Sequence, residues 1–193
     1  SIFSYGFRGE ALATISEVSK TEIISATKAA TTSSKIIIEN GKIKEITEDT
    51  KRQGTTINVY NLFYTVPARQ KFLKTTGYEL KRIVDWVRTI SISNPNINFK
   101  IYHDSDLILD LRSKTNFIDR IHELYNFELV LSEYKDPIVS AVIYSSKPID
   151  VRDITAAKQQ IYINGRPIKN DTISKAIYKA YESKIPRGKK PNV

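Results

Sequence analysis

The run Gly6-Phe7-Arg8-Gly9-Glu10-Ala11-Leu12 sets two glycines around an arginine directly ahead of an apolar-periodic segment. Ala11, Ile15 and Val18 recur at helical spacing and Leu12 widens the stripe, so a helix is predicted to start inside the run. Glycine permits positive φ and close approach of the backbone to a ligand, and the start of a helix offers free N–H groups at the positive end of its dipole. Arg8 adds charge. This arrangement suits a phosphate; the plainer alternative is an ordinary loop leading into a helix.

Working outward, residues 21–27 and 34–39 read as strands, and Asn40-Gly41 supplies a hairpin turn into a strand over 42–46. Another strand covers 56–60. Pro67 fits the first turn of a helix, with Phe72 and Leu73 expected inside. A longer helix follows, with Leu80, Ile83, Val84, Val87 and Ile90 as its stripe, Trp86 bordering that stripe as packing, and Asn94-Pro95 as its end. Ile97, Phe99 and Ile101 alternate as a strand, and residues 116–125 form a helix with Ile118, Ile121, Leu124 and Tyr125 inward. The pattern changes around 126–136, where a domain boundary is expected. Beyond it Val139, Ala141 and Ile143 alternate, residues 159–163 form a strand, and Asn164-Gly165 turns into Arg166-Pro167. A last helix is capped by Asn170 or Asp171, with Ile173, Ile177, Ala180 and Tyr181 inward.

Composition narrows the possible functions. No apolar stretch approaches the ~18 residues of a membrane span, and the start has neither the basic nor the apolar region of a secretory signal. The chain contains no cysteine, which excludes disulfides and thiolate metal sites, and its 2 histidines, His103 and His122, are too few for a zinc site. The Asn170-Asp171-Thr172 sequon reads as a chance match. With no methionine and an opening like the tail of a loop, the chain is expected to be a piece of a longer protein. Its net charge of +9 is uneven. Residues 1–129 hold 18 Lys and Arg against 15 Asp and Glu, whereas residues 158–193 hold 9 against 2. Such a concentration suits a polyanion such as DNA, the alternative being a solvated basic face.

Three further pieces join the opening run: Gln53-Gly54-Thr55-Thr56, then Leu62-Phe63-Tyr64-Thr65-Val66-Pro67-Ala68-Arg69-Gln70-Lys71-Phe72-Leu73, then Asn164-Gly165-Arg166-Pro167. In this order the four resemble the amino-terminal ATPase region of the MutL family of DNA mismatch-repair proteins, over nearly the whole chain. The first and third separate that family from gyrase B, Hsp90 and the histidine kinases, which share its nucleotide fold. The resemblance sharpens an α+β reading into a partial GHKL-type α/β sandwich over 1–129 followed by the start of an α/β domain similar to ribosomal protein S5 domain 2 over 130–193.

The resemblance implies a mismatch-repair ATPase that binds ATP and Mg²⁺, dimerises its amino-terminal regions with an identical or related partner, binds DNA, and answers to a MutS-type mismatch-recognition protein. It implies the cytoplasm in a prokaryote or the nucleus in a eukaryote. Gly6, Phe7, Arg8, Gly9, Glu10, Ala11 and Leu12 correspond to the lid segment that offers N–H groups to the nucleotide phosphates. Gly54, Thr55 and Thr56 correspond to a motif at the adenine end; as residues they also read as a plain turn into a β-branched strand. Arg166 matches the arginine of the Asn-Gly-Arg motif associated with DNA, with Lys169, Lys175, Lys179, Lys184, Arg187, Lys189 and Lys190 extending that surface. Arg69 and Lys71 read as anchors with solvated heads. The family's glutamate base, Mg²⁺-binding asparagine and Asp-x-Gly-x-Gly turn match nothing in these 193 residues. The chain alone is therefore expected to hold no catalytic residue and to hydrolyse no ATP. The alternative is a non-enzymatic nucleic-acid-binding module.

Overall fold

A computed structural model of the chain describes residues 9–125, 128–147, 152–153 and 159–193. The chain divides into two compact units, Ser1–Glu79 and Leu80–Val193. That division falls upstream of the 129/130 boundary expected from the family resemblance.

The first unit is built on an antiparallel sheet. Helix α1 (Ala11–Glu17) leads into β1 (Lys20–Ala26), β2 (Ser33–Glu39), β3 (Lys42–Asp49) and β4 (Gly54–Tyr60), arranged β3-β2-β1-β4. Asn40 and Gly41 both take positive φ, 53° and 70°, which is the backbone a two-residue hairpin loop requires. Cross-strand partners place Ile46, Ile36, Ile23 and Ile57 in one row, with Ile43, Ile38, Thr21 and Val59 beside it. The opposite face mixes buried Ile24, and Ile37, with a polar cluster: Lys35 Nζ lies 2.8 Å from Glu22 Oε2, and Asn58 Nδ2 donates to Glu22 Oε1 at 2.7 Å.

Two expectations about packing fail here. Ala11 and Leu12 are exposed, because the short α1 meets the sheet through its end: Ser16 and Ser19 are buried, and the Gly41 N–H donates to the Ser16 carbonyl at 3.0 Å. Phe72 and Leu73 are exposed, Phe72 at 78%, because helix α2 (Pro67–Gln70) is a single turn and both residues follow its end.

Helix α3 (Thr76–Ser93) spans the division and ends at Asn94-Pro95. Val84, Ser91 and Ile92 are buried, whereas Ile83 and Trp86 stay exposed, so the apolar stripe is narrower than its sequence suggests. In the second unit β5 (Phe99–His103) pairs with β6 (Asp106–Leu111), helix α4 (Phe117–Leu124) follows, and β7 (Val130–Lys135) pairs with β8 (Ser140–Ser145). Strand β7 occupies the stretch where the sequence pattern changes. Short strands β9 (Arg152–Asp153), β10 (Ile161–Ile163) and β11 (Arg166–Ile168), helix α5 (Asp171–Tyr181) and β12 (Lys189–Lys190) complete the chain; β10 pairs with β11 and β9 with β12. Ala180 is exposed, and Ile173 lies just on the exposed side, so α5 buries less than its stripe predicts.

The centre of this unit is a charged group. Arg120 on α4 is fully buried; its guanidinium donates to the Pro95 and Ile97 carbonyls at 2.9 and 2.8 Å and to Glu123 Oε2 at 2.7 Å. Glu123 Oε1 is held in turn by Lys114 Nζ at 3.3 Å. Removing one partner of a buried pair strands the others, so Arg120→Ala is expected to cost about 3 kcal/mol. Lys100→Ala, in the solvated pair with Asp110, should cost ~0–1 kcal/mol. Urea unfolding of both variants checks the contrast.

Candidate nucleotide and nucleic-acid sites

The residues implicated in nucleotide contact lie in the first unit. Gly6, Phe7 and Arg8 fall outside the described residues. Gly9 has φ +70°, with nothing among the described residues within 4 Å of where a Cβ would stand, so the backbone here depends on glycine and is open on the described side. Glu10 occupies the position before α1 and makes no side-chain cap; its carbonyl accepts from the Thr14 N–H and hydroxyl, each at 2.9 Å. Ala11 and Leu12 form the exposed first turn.

Gly54 opens β4 with φ +104°, and the space where its Cβ would stand is also clear. Thr55 sits opposite Ser25, and the two hydroxyls share a hydrogen bond at 2.8 Å; Thr56 sits opposite Ile24. The Thr55 hydroxyl thus keeps a surface position with capacity for a second hydrogen bond. Among the described residues no hydrogen bond or ion pair joins Gly9–Leu12 to Gly54–Thr56, and no cluster of three or more His, Asp or Glu could hold a metal ion. Arg69 and Lys71 are exposed around α2.

The residues implicated in DNA contact lie in the second unit. Asn164 and Gly165 turn with φ 51° and 75°, and Arg166 follows in β11, half-buried and opposite Ile163. Asn170 caps α5 by accepting from the Ile173 N–H at 2.9 Å. Lys169, Lys175, Lys179, Lys184 and Arg187 are exposed, whereas Lys189 and Lys190 are half-buried on β12.

The structure groups two of these lysines with Asp171, Ser174 and Tyr178. Asp171, Ser174, Lys175 and Tyr178 fall on one face of α5 at helical spacing, and with Lys190 they line a hollow of about 390 Å³. The four-residue pattern was open to view, but attention to the apolar stripe hides a polar one. The arrival of Lys190 depends on the β9–β12 pairing, which no local pattern announces.

Four groups titrate away from their ordinary range. The hydrogen bond from Lys35, then that from Asn58, holds the Glu22 carboxyl low, and the same contact with Glu22 raises Lys35. Asp136, in the β7–β8 turn, is lowered by the Val139 and Ile138 N–H groups and the Tyr134 hydroxyl. Burial raises Tyr125, whose hydroxyl accepts from Gln160 Nε2 at 3.1 Å.

The chain matches the family described as "DNA mismatch repair protein, C-terminal domain" over residues 123–193. It is 33% identical over 195 aligned residues to the DNA mismatch repair protein MutL of Porphyromonas gingivalis, an alignment covering all of this chain and 31% of that protein. It is 36% identical to MutL of Clostridium botulinum over 95% of this chain and 28% of that one. The chain thus spans under a third of either relative. Its fold is similar to the Aquifex aeolicus MutL ATPase domain complexed with ADP, with a TM-score of 0.73 at 25% identity, over 88% of this chain and 67% of that one. These likenesses bear out the α+β class and the GHKL-type reading.

The Glu22–Lys35 pair, which ties β1 to β2, gives a pH prediction. Because the folded Glu22 pKa is depressed, its contribution is present above the ordinary carboxylate range and disappears as pH falls through the folded value. Because the folded Lys35 pKa is raised, its contribution is present below the ordinary lysine value and disappears as pH rises through the folded one. Glu22→Gln should therefore flatten stability against pH at both ends, read as urea midpoints from roughly pH 3 to pH 11.

Proposed function

The chain belongs to the MutL family of DNA mismatch-repair proteins, and we propose that it is a nucleotide-binding and DNA-contacting part of a mismatch-repair ATPase. The observation that carries this reading is the likeness to a MutL ATPase domain complexed with ADP over 88% of this chain. Residues 1–129 are assigned to the ATPase domain and 130–193 to the second, DNA-facing domain; the family match over 123–193 supports that division.

In this reading Gly6 to Leu12 form the lid segment whose N–H groups meet the nucleotide phosphates. The open positive-φ backbone at Gly9 supports it. Gly54 brings bare backbone toward the adenine end, and the Thr55 and Thr56 hydroxyls supply polar contacts there. Mg²⁺ and the water-activating base come from elsewhere in the parent protein, and ATP binding closes the clamp against a second, identical or related subunit. A MutS-type protein is the upstream partner.

Phosphate release by the 193-residue chain is accordingly expected to stay at background. Magnesium-dependent turnover that Gly9→Val abolishes would overturn the assignment of catalysis to other residues.

Contact with DNA is assigned to Arg166, Lys169, Lys175, Lys179, Lys184, Arg187, Lys189 and Lys190. Five of these are exposed, and the surplus of 9 basic over 2 acidic residues across 158–193 supports the surface. Such contacts read no sequence; they release counterions from backbone phosphates. Arg166→Glu with Lys169→Glu should weaken duplex binding and flatten the plot of log K against log salt by about 0.9 for each phosphate no longer neutralised. The control is Lys42→Glu with Lys44→Glu on β3, expected to leave the slope unchanged. Equal losses from both pairs would show that only net charge matters.

A further inference from the structure

The hollow beside α5 differs from the rest of the basic surface. Lys175 and Lys190 approach it from two elements, and neither has an acidic partner in ion-pair range among the described residues. Lys190 is half-buried rather than splayed into solvent. Ser174 adds a hydroxyl, and half-buried Tyr178 adds an aromatic ring. Asp171 offsets one of the two positive charges, which leaves the lining at +1 among the described residues.

That balance selects among anions. A nucleoside triphosphate or a free phosphate dianion brings more negative charge than the hollow can neutralise, and each would face Asp171. A phosphodiester carries a single negative charge and matches it. The volume of about 390 Å³ exceeds what one phosphate group needs and suits a nucleotide unit. An aromatic wall adds a face on which a base can stack, but a base inside a duplex already has both faces covered. We infer that the α5–β12 hollow seats one nucleotide unit of single-stranded DNA, its phosphodiester between Lys175 and Lys190 and its base against the Tyr178 ring. This deepens the DNA-contact reading above and rests on it. It adds a stacking residue to a surface otherwise made of charge.

The test is fluorescence anisotropy of a labelled oligothymidylate with the full 193-residue chain across a salt series. Tyr178→Leu should weaken single-strand binding roughly tenfold, the scale of stacking on a single base, without changing the salt slope, because no charge is removed. Tyr178→Phe keeps the ring and should bind as the parent does; thermal melting of both variants guards against misfolding. Lys190→Gln should lower the single-strand slope by about 0.7, the share of one phosphate. Duplex binding should be indifferent to Tyr178→Leu. If Tyr178→Phe loses as much as Tyr178→Leu, or Tyr178→Leu weakens duplex and single strand alike, stacking in the hollow is refuted. If Arg166→Glu with Lys169→Glu abolishes binding while the Tyr178 and Lys190 variants bind as the parent does, the DNA surface stands and the hollow has no part in it. Failure of the parent chain to bind either form of DNA at low salt would overturn both readings.

Discussion

A buried guanidinium organises the second unit. Arg120 has no exposed surface, and an arginine is tolerable in that setting only when its charge is balanced and its N–H groups find acceptors. Here the acceptors for Nη2 are the Pro95 and Ile97 carbonyls, from the turn that ends α3 and leads to β5, while Nη1 meets the balancing charge, Glu123, one helical turn along α4; the Nε–H has no hydrogen-bond partner among the described residues. Glu123 also ties to Lys114 in the connection between β6 and α4. Three pieces of chain thus meet around the Arg120–Glu123 pair. Moving α4 would strand a charge and two carbonyls, which makes its position close to all-or-none.

A similar economy holds at the smaller joints. The buried positions include few large apolar residues, Ile24, Val84, Ile92, Leu109 and Leu111 among them, but many hydroxyls. Ser19 donates to the Ile15 carbonyl and shares a hydrogen bond with Thr21; Ser33 accepts from the Arg52 N–H; Ser146 accepts from the Asn192 N–H. Each lets two backbone segments approach closely with their polar atoms satisfied. Farther along, Gln160 donates to Tyr125 and accepts from Tyr162, whose hydroxyl is also within 2.9 Å of the Thr89 carbonyl. These networks locate β10, and hence the β10–β11 turn that carries Arg166, against the helices of the same unit.

Local rules were legible where a single residue type decides the backbone. Asn40-Gly41 and Asn164-Gly165 form positive-φ turns, Pro67 starts α2, and Asn170 caps α5. Strand β6 was not legible, because its turn at Asp104 lacks glycine and Leu107-Ile108-Leu109 does not alternate. Burial misled for a different reason: periodicity says which face of a helix is apolar, not whether anything packs against it. Trp86, Phe72 and Ile83 show this, all apolar and all more than half exposed. For the candidate site the motifs gave the residue list, whereas the hollow needed tertiary structure, since Lys190 lies far from α5 in local pattern and its strand is held by β9 and by the Ser146–Asn192 hydrogen bonds.

The distribution of ion pairs explains why a modest net charge can act locally. In the first 129 residues several acids are answered nearby: Glu22 by Lys35, Glu39 by Lys20, Asp110 by Arg112 and Lys100, Glu123 by Arg120 and Lys114. Such pairs cancel at distances beyond about 8 Å in physiological salt, so that surface presents little field. In residues 158–193 neither Asp171 nor Glu182 holds an ion pair among the described residues, and the basic groups outnumber them by 9 to 2. The excess there is uncompensated within its own stretch. If a polyanion binds at that stretch, as proposed, charge alone attracts it, and discrimination falls to groups without charge; within the hollow these are the Tyr178 ring and the Ser174 hydroxyl.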